Sequence, residues 1–337
     1  MAIAGFKRSR TISAKLIEWY ENAHRDLPWR RTRDPYRIWV SEIMLQQTRV
    51  EAVIPYYERF LQRFPSVEAL AAASERDLLT CWSGLGYYSR ARNMQKAARL
   101  ITERGAFPNT HQALRELPGV GDYTAAAIAS IAFDLPHAAL DGNAIRVFAR
   151  LTNNRGDVKS TITRQRLQSV AAGCLDPQRP GDFNQAVMEL GATVCVPRTP
   201  KCLVCPVLDE CIARRLGVQN ELPVKSAEVV REQIEQTVYV IERRGKLLMC
   251  QRGQHSKRMQ GFWELPDNGS LQNAVPGEKV GHFRHTITHH DYLVTVRRAS
   301  VRQVPADHKW CDWNELEKIP VSTAAKKALL CLKHQGE

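Results

Sequence analysis

Four of the nine cysteines lie within a stretch of seventeen residues, at Cys195, Cys202, Cys205 and Cys211. Thiolates are soft ligands, and four of them without a histidine favour either zinc or an iron–sulfur centre. Zinc sites usually combine two CxxC pairs. Here a single CxxC pair is accompanied by two more distant cysteines, which suits a loop that wraps a larger cluster. The spacing therefore predicts a metal centre and leaves both identities open.

Two carboxylates stand in contrasting local surroundings. Glu42 is flanked on its own helix by large apolar side chains such as Trp39 and Ile43. Such surroundings disfavour the charged form, raise the pKa and suit a proton donor. Asp141 comes directly before a predicted helix, whose N-terminus favours the ionised form and so a role in stabilising positive charge or attacking a sugar carbon. An acid paired with a carboxylate is typical of glycosidases, although a solvent-facing Glu42 and a simple N-cap remain the alternatives.

A short glycine-containing stretch lies between two predicted helices: Leu117-Pro118-Gly119-Val120-Gly121. Two glycines two residues apart allow a tight hairpin that exposes backbone N–H groups at the start of the next helix. Such a hairpin binds phosphate, and beside a basic surface it indicates contact with a DNA backbone independent of sequence. The alternative is an ordinary turn with a glycine at the end of its first helix.

Aromatic and amide side chains occur where a duplex-opening wedge would need them. Tyr87 and Tyr88 follow a glycine-rich turn, and Gln46 and Gln47 lie one turn beyond Glu42. Enzymes that act on a base in a duplex must extrude it, and inserted side chains fill the gap. Packing against neighbouring helices is the alternative interpretation of the two tyrosines.

Helices must position nearly all of these residues. Capping residues, apolar periodicity and breakers predict helix after helix up to about Gly217, including helices that begin after Asp34, at Ser66 and after Ser74, and one over 89–103. After about residue 223 the pattern changes. Residues 237–241 and 246–250 are predicted as paired strands, 292–296 as a further strand, and the end from Ser322 as a helix. The C-terminal third is therefore predicted to be a mixed α/β region.

Composition and charge narrow the class of protein. The 337 residues carry a formal net charge of +13, spread over the whole length, which favours a nucleic acid as partner. Cysteines without a secretory signal argue against a disulfide framework. No apolar run reaches membrane-spanning length, so we expect no membrane partner and a cytoplasmic, nucleoid-associated protein of bacterial type.

Taken together, these stretches resemble the MutY family of adenine DNA glycosylases, within the endonuclease III superfamily. The resemblance covers nearly the whole chain and rests on six motifs, which are Leu27-Pro28-Trp29-Arg30, residues 41–48, Gly84-Leu85-Gly86-Tyr87-Tyr88, Leu117-Pro118-Gly119-Val120-Gly121, Leu140-Asp141-Gly142-Asn143 and the four-cysteine loop. It implies a mainly α, two-lobed helix-hairpin-helix glycosylase fold with a [4Fe–4S] domain, followed by a C-terminal α/β Nudix-like domain.

The resemblance also implies domain boundaries. Residues 1–27 and 130–216 would form the iron–sulfur helical domain, and 28–129 a six-helix barrel with the helix-hairpin-helix. A linker would run over 217–232, and a Nudix-like lesion-recognition domain over 233–337. The expected partner is double-stranded DNA that carries adenine mispaired with 8-oxoguanine or guanine, bound by a monomer.

Residue roles carry over from the matching motifs. The catalytic set would be Glu42 as the acid that protonates adenine, Asp141 as the carboxylate that stabilises or traps the oxocarbenium ion, and Asn143 and Tyr123 in support. The adenine pocket would use Trp29, Arg30 and Gln185, while Gln47 and Tyr87 would insert into the base stack. The hairpin residues Leu117, Gly119, Val120 and Gly121 would contact the DNA backbone, and Cys195, Cys202, Cys205 and Cys211 would hold the [4Fe–4S] cluster.

Tyr123 discriminates within the superfamily. Members that also cut the DNA strand carry a Schiff-base lysine at this position, and a phenol cannot form an imine. The resemblance therefore implies a monofunctional glycosylase. The rival interpretations are an endonuclease III-like glycosylase and lyase acting on oxidised pyrimidines, a non-enzymatic metal-dependent DNA-binding module, and a Nudix hydrolase.

The C-terminal region resembles a Nudix fold at Gly261-Phe262-Trp263-Glu264-Leu265-Pro266 but lacks the glutamate-rich helix that binds magnesium in Nudix hydrolases. In this family the domain reads 8-oxoguanine through a loop that usually runs Phe-Ser-His. The corresponding residues here are Ile287-Thr288-His289, so Thr288 and His289 are the expected lesion contacts. Ile287 cannot stack as phenylalanine would.

Overall fold

The computed structural model describes residues 2–226, 231–253, 259–287 and 290–333. The chain divides into two compact units, Met1–Ala72 with Asn93–Ala227 and Ala73–Arg92 with Glu228–Glu337. This division is coarser than the four-part organisation predicted above, whose boundaries remain predictions. It groups residues 73–92 with the C-terminal region.

The first two thirds of the chain are helical, as predicted. The helices are α1 (Ala2–Ala23), α2 (Pro35–Leu45), α3 (Val50–Arg63), α4 (Val67–Ala72), α5 (Glu75–Trp82), α6 (Ser89–Arg104), α7 (His111–Arg115), α8 (Asp122–Phe133), α9 (Gly142–Leu151), α10 (Thr161–Cys174), α11 (Pro180–Thr193) and α12 (Ile212–Arg215). Single turns of 3-10 helix occur at Pro28–Arg30 and Cys202–Val204. Within the described residues, no helix is long and apolar enough to cross a membrane.

Side-chain caps fix where several of these helices begin. The Asp34 carboxylate accepts the Tyr36 backbone N–H before α2, and the Ser74 hydroxyl accepts the Asp77 N–H before α5. The start of α9 is capped by Asp141 itself, which accepts the Ala144 N–H. Each such cap satisfies a backbone donor that has no partner inside the helix. Local sequence therefore places α2 and α9, the two helices that carry or adjoin the candidate carboxylates.

One apolar core joins α1, α9, α10 and α11. It is built from fully buried residues such as Leu16, Phe148, Leu167 and Phe183. The partly buried Cys195, Cys205 and Cys211 pack against the same core, so it supports the cysteine loop. A second set of contacts joins α2 with α3 and α8, with Trp39 and Phe60 fully buried.

The C-terminal region is a mixed α/β structure, as predicted. Its strands are β1 (Glu232–Val240), β2 (Glu242–Arg243), β3 (Lys246–Gln251), β4 (Trp263–Glu264), β5 (Ala274–Ile287), β6 (His290–Val301) and β7 (His308–Asp312), followed by α13 (Trp313–Leu316) and α14 (Thr323–Lys333). They form a three-stranded sheet in the order β1-β6-β5 and a four-stranded sheet in which β3 pairs with β2, β4 and β7.

The pairing of the first strands differs from the prediction. Residues 232–240 pair in parallel with β6, and a tight turn at Arg244 and Gly245 joins only the two-residue β2 to β3. Both turn residues have positive φ, 51° and 74°, as a two-residue hairpin turn requires. The predicted turn is therefore confirmed. The prediction that residues 237–241 pair with 246–250 is wrong over most of its length, because β6 supplies nine partners to β1.

Candidate active site and family

Eight of the sequence-predicted residues line one cavity of about 560 Å³ in the helical unit. They are Glu42, Asp141, Tyr123, Asn143, Trp29, Arg30, Gln185 and Gln47. Four separate helices supply the carboxylates and their partners, because α2, α8, α9 and α11 pack on one another. The fold therefore brings together side chains that are far apart in the sequence.

Glu42 is buried, with 6% of its surface exposed. Burial raises the pKa of its carboxyl from 4.5 to about 7, although the hydrogen bond from the Tyr123 hydroxyl opposes this change. That hydroxyl donates to Oε2 of Glu42 over 2.6 Å and also lies 3.2 Å from the sulfur of Met188. The predicted rise in the pKa of Glu42 is confirmed, and a pKa near 7 suits a group that donates a proton at neutral pH.

Asp141 is held in place by two donors at the start of α9. Its Oδ1 accepts the Ala144 backbone N–H at 2.6 Å, and its Oδ2 accepts the Asn143 side-chain amide at 2.9 Å. Burial nevertheless raises the pKa of Asp141, and the hydrogen bonds from Ala144 and Asn143 only partly offset it. The start of α9 favours the ionised form, as expected from the sequence, but burial, which the local sequence does not show, has the larger effect on the pKa.

A buried ion-pair network that sequence reasoning missed forms another wall. Glu189, whose side chain is fully buried, accepts a bidentate pair of hydrogen bonds from Arg25 at 2.8 Å each and one from Arg30 at 2.7 Å. Burial would raise the pKa of Glu189, but the two guanidinium groups outweigh it and hold the pKa at about 2. The signal for Glu189 was available as an acid in the apolar second half of α11, whose other acid, Asp182, lies in the first turn. Its partners lie more than 150 positions away.

Tyr20 contacts two of the predicted pocket residues. Its hydroxyl donates to the Gln185 side-chain oxygen at 3.2 Å, and the Arg30 guanidinium carbon lies 5.3 Å from the centre of its ring. Trp29 is buried and meets Tyr57 edge to face, with ring centres 5.4 Å apart. Trp29, Arg30 and Gln185 are thus held by neighbours, whereas Gln47 is exposed and has a positive φ of 58°.

The predicted hairpin joins α7 to α8. The Val120 N–H donates to the Leu117 carbonyl at 3.1 Å and closes the turn, and Gly119 adopts a φ of 80°. A Cβ atom on Gly119 would come within 2.9 Å of the Cβ of Asn93. Gly121 is the N-cap of α8, and among the described residues no side chain caps it. The first N–H groups of α8 are therefore suited to an anion such as a phosphate.

The four cysteines of the loop line a single small cavity together with Arg150 and Arg214. Arg150, 1% exposed, donates to the sulfur of Cys195 at 3.3 Å and to the carbonyls of Val196 and Pro197. Among the described residues, no group of three His, Cys, Asp or Glu side chains has the arrangement of a single-ion site. A shared cavity, soft donors and a buried cation beside the sulfurs fit a group that carries negative charge on its thiolates.

Arg146 bridges this loop to the carboxylate site. It donates to the Cys195 carbonyl at 2.8 Å, to the Gly191 carbonyl at 2.7 Å and to the side-chain oxygen of Asn143 at 2.8 Å. Asn143 in turn donates to Asp141. Sequence reasoning did not select Arg146, since its role depends on contacts with residues that lie 45 and 49 positions further along the chain.

Tyr87 belongs to the other unit. It is 50% exposed and has a positive φ of 47°, in the turn between α5 and α6. Ile287 ends β5, whereas Thr288 and His289 lie outside the described residues, so their predicted contact with a lesion is not tested by the structure.

Comparison with known proteins identifies the family. Residues 40–172 match the HhH-GPD superfamily of base excision DNA repair proteins. The chain is 36% identical to the adenine DNA glycosylase of Mus musculus, over 93% of this chain and 76% of that protein. It is 37% identical to the adenine DNA glycosylase of Homo sapiens, over 93% of this chain and 72% of that one.

Solved structures with a similar fold match about two thirds of the chain. A thermostable thymine-DNA glycosylase is 28% identical and covers 62% of this chain and 98% of its own, with a TM-score of 0.57. An endonuclease III in a non-covalent DNA complex is 22% identical and covers 64% and 98%, with a TM-score of 0.54, which shows the shared fold. The chain therefore belongs to the MutY family of adenine DNA glycosylases, DNA-binding enzymes of base-excision repair within the HhH-GPD superfamily.

Proposed function

We propose that the chain hydrolyses the N-glycosidic bond of adenine mispaired with 8-oxoguanine or guanine, without cutting the DNA strand. The observation that carries this proposal is the pairing of a buried carboxylate, Glu42, with a partly buried one, Asp141, on one cavity that would hold an extruded nucleotide. Their surroundings differ, as an acid and a charge-stabilising group require.

Glu42 is the proton donor of this mechanism. The Tyr123 hydroxyl donates to Oε2, so Oε1 remains to carry the proton toward the base. Because the pKa of Glu42 is about 7, much of it is protonated at neutral pH. Protonation lets adenine leave with the electron pair of the glycosidic bond, since the leaving base is then neutral. The pKa of Tyr123 is raised well above 10 by burial and by Glu42, so its hydroxyl remains a donor.

Asp141 acts on the sugar. As the bond breaks, positive charge develops on the sugar ring, and an ionised Asp141 either stabilises that oxocarbenium ion or traps it as a transient ester. The Ala144 N–H and the Asn143 amide favour this ionised form and fix the orientation of the carboxylate. Water then adds to the sugar carbon and completes the hydrolysis.

Strand cleavage is not part of this function. The lyase reaction of related enzymes needs an amine that forms an imine with the sugar, and Tyr123 offers a phenol. Of the described residues that line the cavity, none is a lysine. An abasic site is therefore the expected product, and borohydride should trap no major covalent adduct of the unmodified protein.

Recognition is divided among the remaining predicted residues. Trp29, Arg30 and Gln185 would bind the extruded adenine, with Arg30 and Gln185 positioned by Glu189 and Tyr20. Gln47 and Tyr87, both exposed, would fill the gap in the base stack. The hairpin would bind the backbone of a duplex held by a single copy of the chain. The Nudix-like C-terminal region would read the opposite base through Thr288 and His289.

A [4Fe–4S] cluster is the proposed cofactor, held by Cys195, Cys202, Cys205 and Cys211. Its role is structural in this proposal, since it would hold the loop that follows α11 against the core. Protein purified without oxygen should contain about four irons and four sulfides per chain. Cys202→Ser should lower iron content and folded yield, whereas Cys81→Ser, outside the loop, should change neither. Stoichiometric zinc in place of iron would contradict the proposal.

The decisive experiment is a single-turnover assay on a duplex with one adenine opposite 8-oxoguanine, with strand cleavage by alkali as the readout. Glu42→Gln and Asp141→Asn should each lower the rate by about 10²–10⁴-fold while duplex binding persists. Glu58→Gln, an exposed site on α3, is the matched control and should leave the rate unchanged. Near-normal rates in either active-site variant would overturn the assignment.

A further inference from the structure

Tyr87 is presented by a short segment that we call the wedge turn, residues 83–88. Two buried residues that flank it, Trp82 and Arg90, fix its backbone. The Trp82 ring nitrogen donates to the Gly86 carbonyl at 3.1 Å, and Arg90 donates to the carbonyls of Leu85 and Gly86 at 3.2 and 3.1 Å. The Arg90 guanidinium also lies 5.7 Å from the centre of the Tyr87 ring. A tyrosine with a positive φ is strained, so it keeps that conformation only where its surroundings enforce it.

The other side of the wedge turn packs on the C-terminal α/β region, in the same compact unit. The Ser83 hydroxyl donates to the Val321 carbonyl at 2.9 Å, and both residues are buried. The Lys326 ammonium donates to the Ser83 carbonyl at 3.4 Å. Tyr88 lies against Phe262, with ring centres 4.0 Å apart.

The exposed fractions separate the buried residues that support the wedge turn from the one residue that the turn exposes. Phe262 is fully buried, and Tyr88 and Ser83 are 6% and 8% exposed. Tyr87 lies between Ser83 and Tyr88 in the chain and is 50% exposed. Flanking contacts repeat the pattern, since Arg92 on α6 donates to the Gln260 carbonyl and Arg76 on α5 donates to the Lys318 carbonyl. Helices and turn are thus held at several points by residues of the C-terminal region.

We propose that Phe262, together with the Ser83–Val321 hydrogen bond, positions the wedge residue Tyr87 from the C-terminal α/β region. This region then affects the opening of the duplex as well as the recognition of the opposite base. The inference rests on the proposed role of Tyr87 in the base stack. Phe262 is a positioning residue, because it contacts Tyr88 and reaches Tyr87 only through the conformation of the turn.

The test uses the full chain and a duplex with a non-cleavable adenine analogue opposite guanine and 2-aminopurine beside the mispair. Fluorescence of 2-aminopurine rises when it is unstacked, so it reports the wedge independently of catalysis. Tyr87→Ala should abolish most of the rise. Phe262→Leu should reduce the rise. On the same duplex with adenine in place of the analogue, it should also slow single-turnover excision by about 10- to 100-fold, because small displacements of a positioning element have effects of that size. Phe283→Leu, at a partly buried aromatic residue of the same region, is the control and should change neither.

A double-mutant cycle separates positioning from general stability. If Phe262 acts through Tyr87, the Phe262→Leu/Tyr87→Ala protein should be no slower than Tyr87→Ala alone. Ser83→Ala removes the hydrogen bond to the Val321 carbonyl and serves as a milder second variant if Phe262→Leu fails to fold. If Phe262→Leu or Ser83→Ala lowered the excision rate by the same factor in the Tyr87→Ala protein as in the protein that keeps Tyr87, the inference would be overturned. A fluorescence rise as large in Tyr87→Ala as in the unmodified protein would overturn the wedge role itself, and the inference with it.

Discussion

The proposed chemistry of the site depends on a carboxyl group that folding has made less acidic. Glu42 lies among apolar side chains of its own helix, so the rise in its pKa follows from the local sequence. Its partner Tyr123 is 81 positions away, and that contact exists only because α2 packs on α8. For Asp141, local reasoning identified the cap, whose hydrogen bonds lower the pKa, but not the burial, which raises the pKa by more.

Replacing Glu42 should stabilise the protein while it abolishes catalysis. Because the pKa of Glu42 rises from 4.5 to about 7, the folded state binds more protons than the unfolded state between these values. Stability associated with Glu42 is thus fully present below pH 4.5 and is lost as pH rises through about 7. Because each unit of pKa change corresponds to ~1.4 kcal/mol, the loss in the free energy of unfolding amounts to about 3 kcal/mol. Glu42→Gln should remove this loss and still accept the Tyr123 hydrogen bond.

Denaturant unfolding at several pH values measures this effect. The gain in the free energy of unfolding for Glu42→Gln should be about 3 kcal/mol above pH 8 and much smaller near pH 4. Glu58→Gln provides the control for a surface carboxyl. A gain that does not depend on pH would show that Glu42 is ionised at its site already in acid, against its role as a proton donor.

Among the elements, helices were predicted well because caps and apolar periodicity are local signals. The strand pairing was predicted less well. A turn with Gly245 indicated a hairpin, but the longer partner of β1 is β6, more than 50 residues further along the chain. Pairing over such a distance depends on which faces both strands bury, and a single sequence shows this only for one strand at a time.

The hairpin before α8 offers a test at the scale of one element. Gly119→Ala should lower duplex affinity, because its φ of 80° disfavours a side chain and the added Cβ would meet Asn93 at 2.9 Å. The loss should be similar for matched and mispaired duplexes, since the hairpin contacts phosphates and not bases. Gly121→Ala is the comparison for the shape of the turn, because alanine keeps the backbone N–H that Gly121 would offer to a phosphate. Its φ is −92° and no atom lies within 4 Å of the added Cβ, so it should bind almost normally.

Equilibrium binding by fluorescence anisotropy, at fixed ionic strength, compares the two variants. Weaker binding by Gly119→Ala to all duplexes, with the excision rate at saturating protein retained, would support a role in docking. If Gly121→Ala weakened binding equally, close contact of the helix N-terminus would matter more than the shape of the turn.

For the molecule as a whole, the net charge of +13 and the family indicate how a repair enzyme finds its site in DNA. A basic surface provides binding that is independent of sequence and sensitive to salt, and discrimination must come from a few contacts with bases. Sequence motifs identified eight residues that line the candidate cavity, including both carboxylates, but not the ion pairs of Glu189. They did not reveal that residues 73–92 pack with the C-terminal region, because no local pattern records which unit a helix joins.

Two kinds of C-terminal residue should therefore affect the reaction differently. Phe262 should alter excision opposite both guanine and 8-oxoguanine, since it supports the wedge turn. Thr288→Ala with His289→Ala should instead lower the ratio of the rates opposite 8-oxoguanine and guanine, because these side chains are proposed to contact the lesion itself. Contacts with a base edge contribute ~1–3 kcal/mol of discrimination, so the ratio should fall by about 5- to 100-fold while excision opposite guanine persists.

Parallel single-turnover assays on the two duplexes measure this ratio, with Gln272→Ala as an exposed control in the same region. An unchanged ratio in the double variant would assign lesion reading to other residues, and equal losses on both duplexes would assign Thr288 and His289 to general DNA binding.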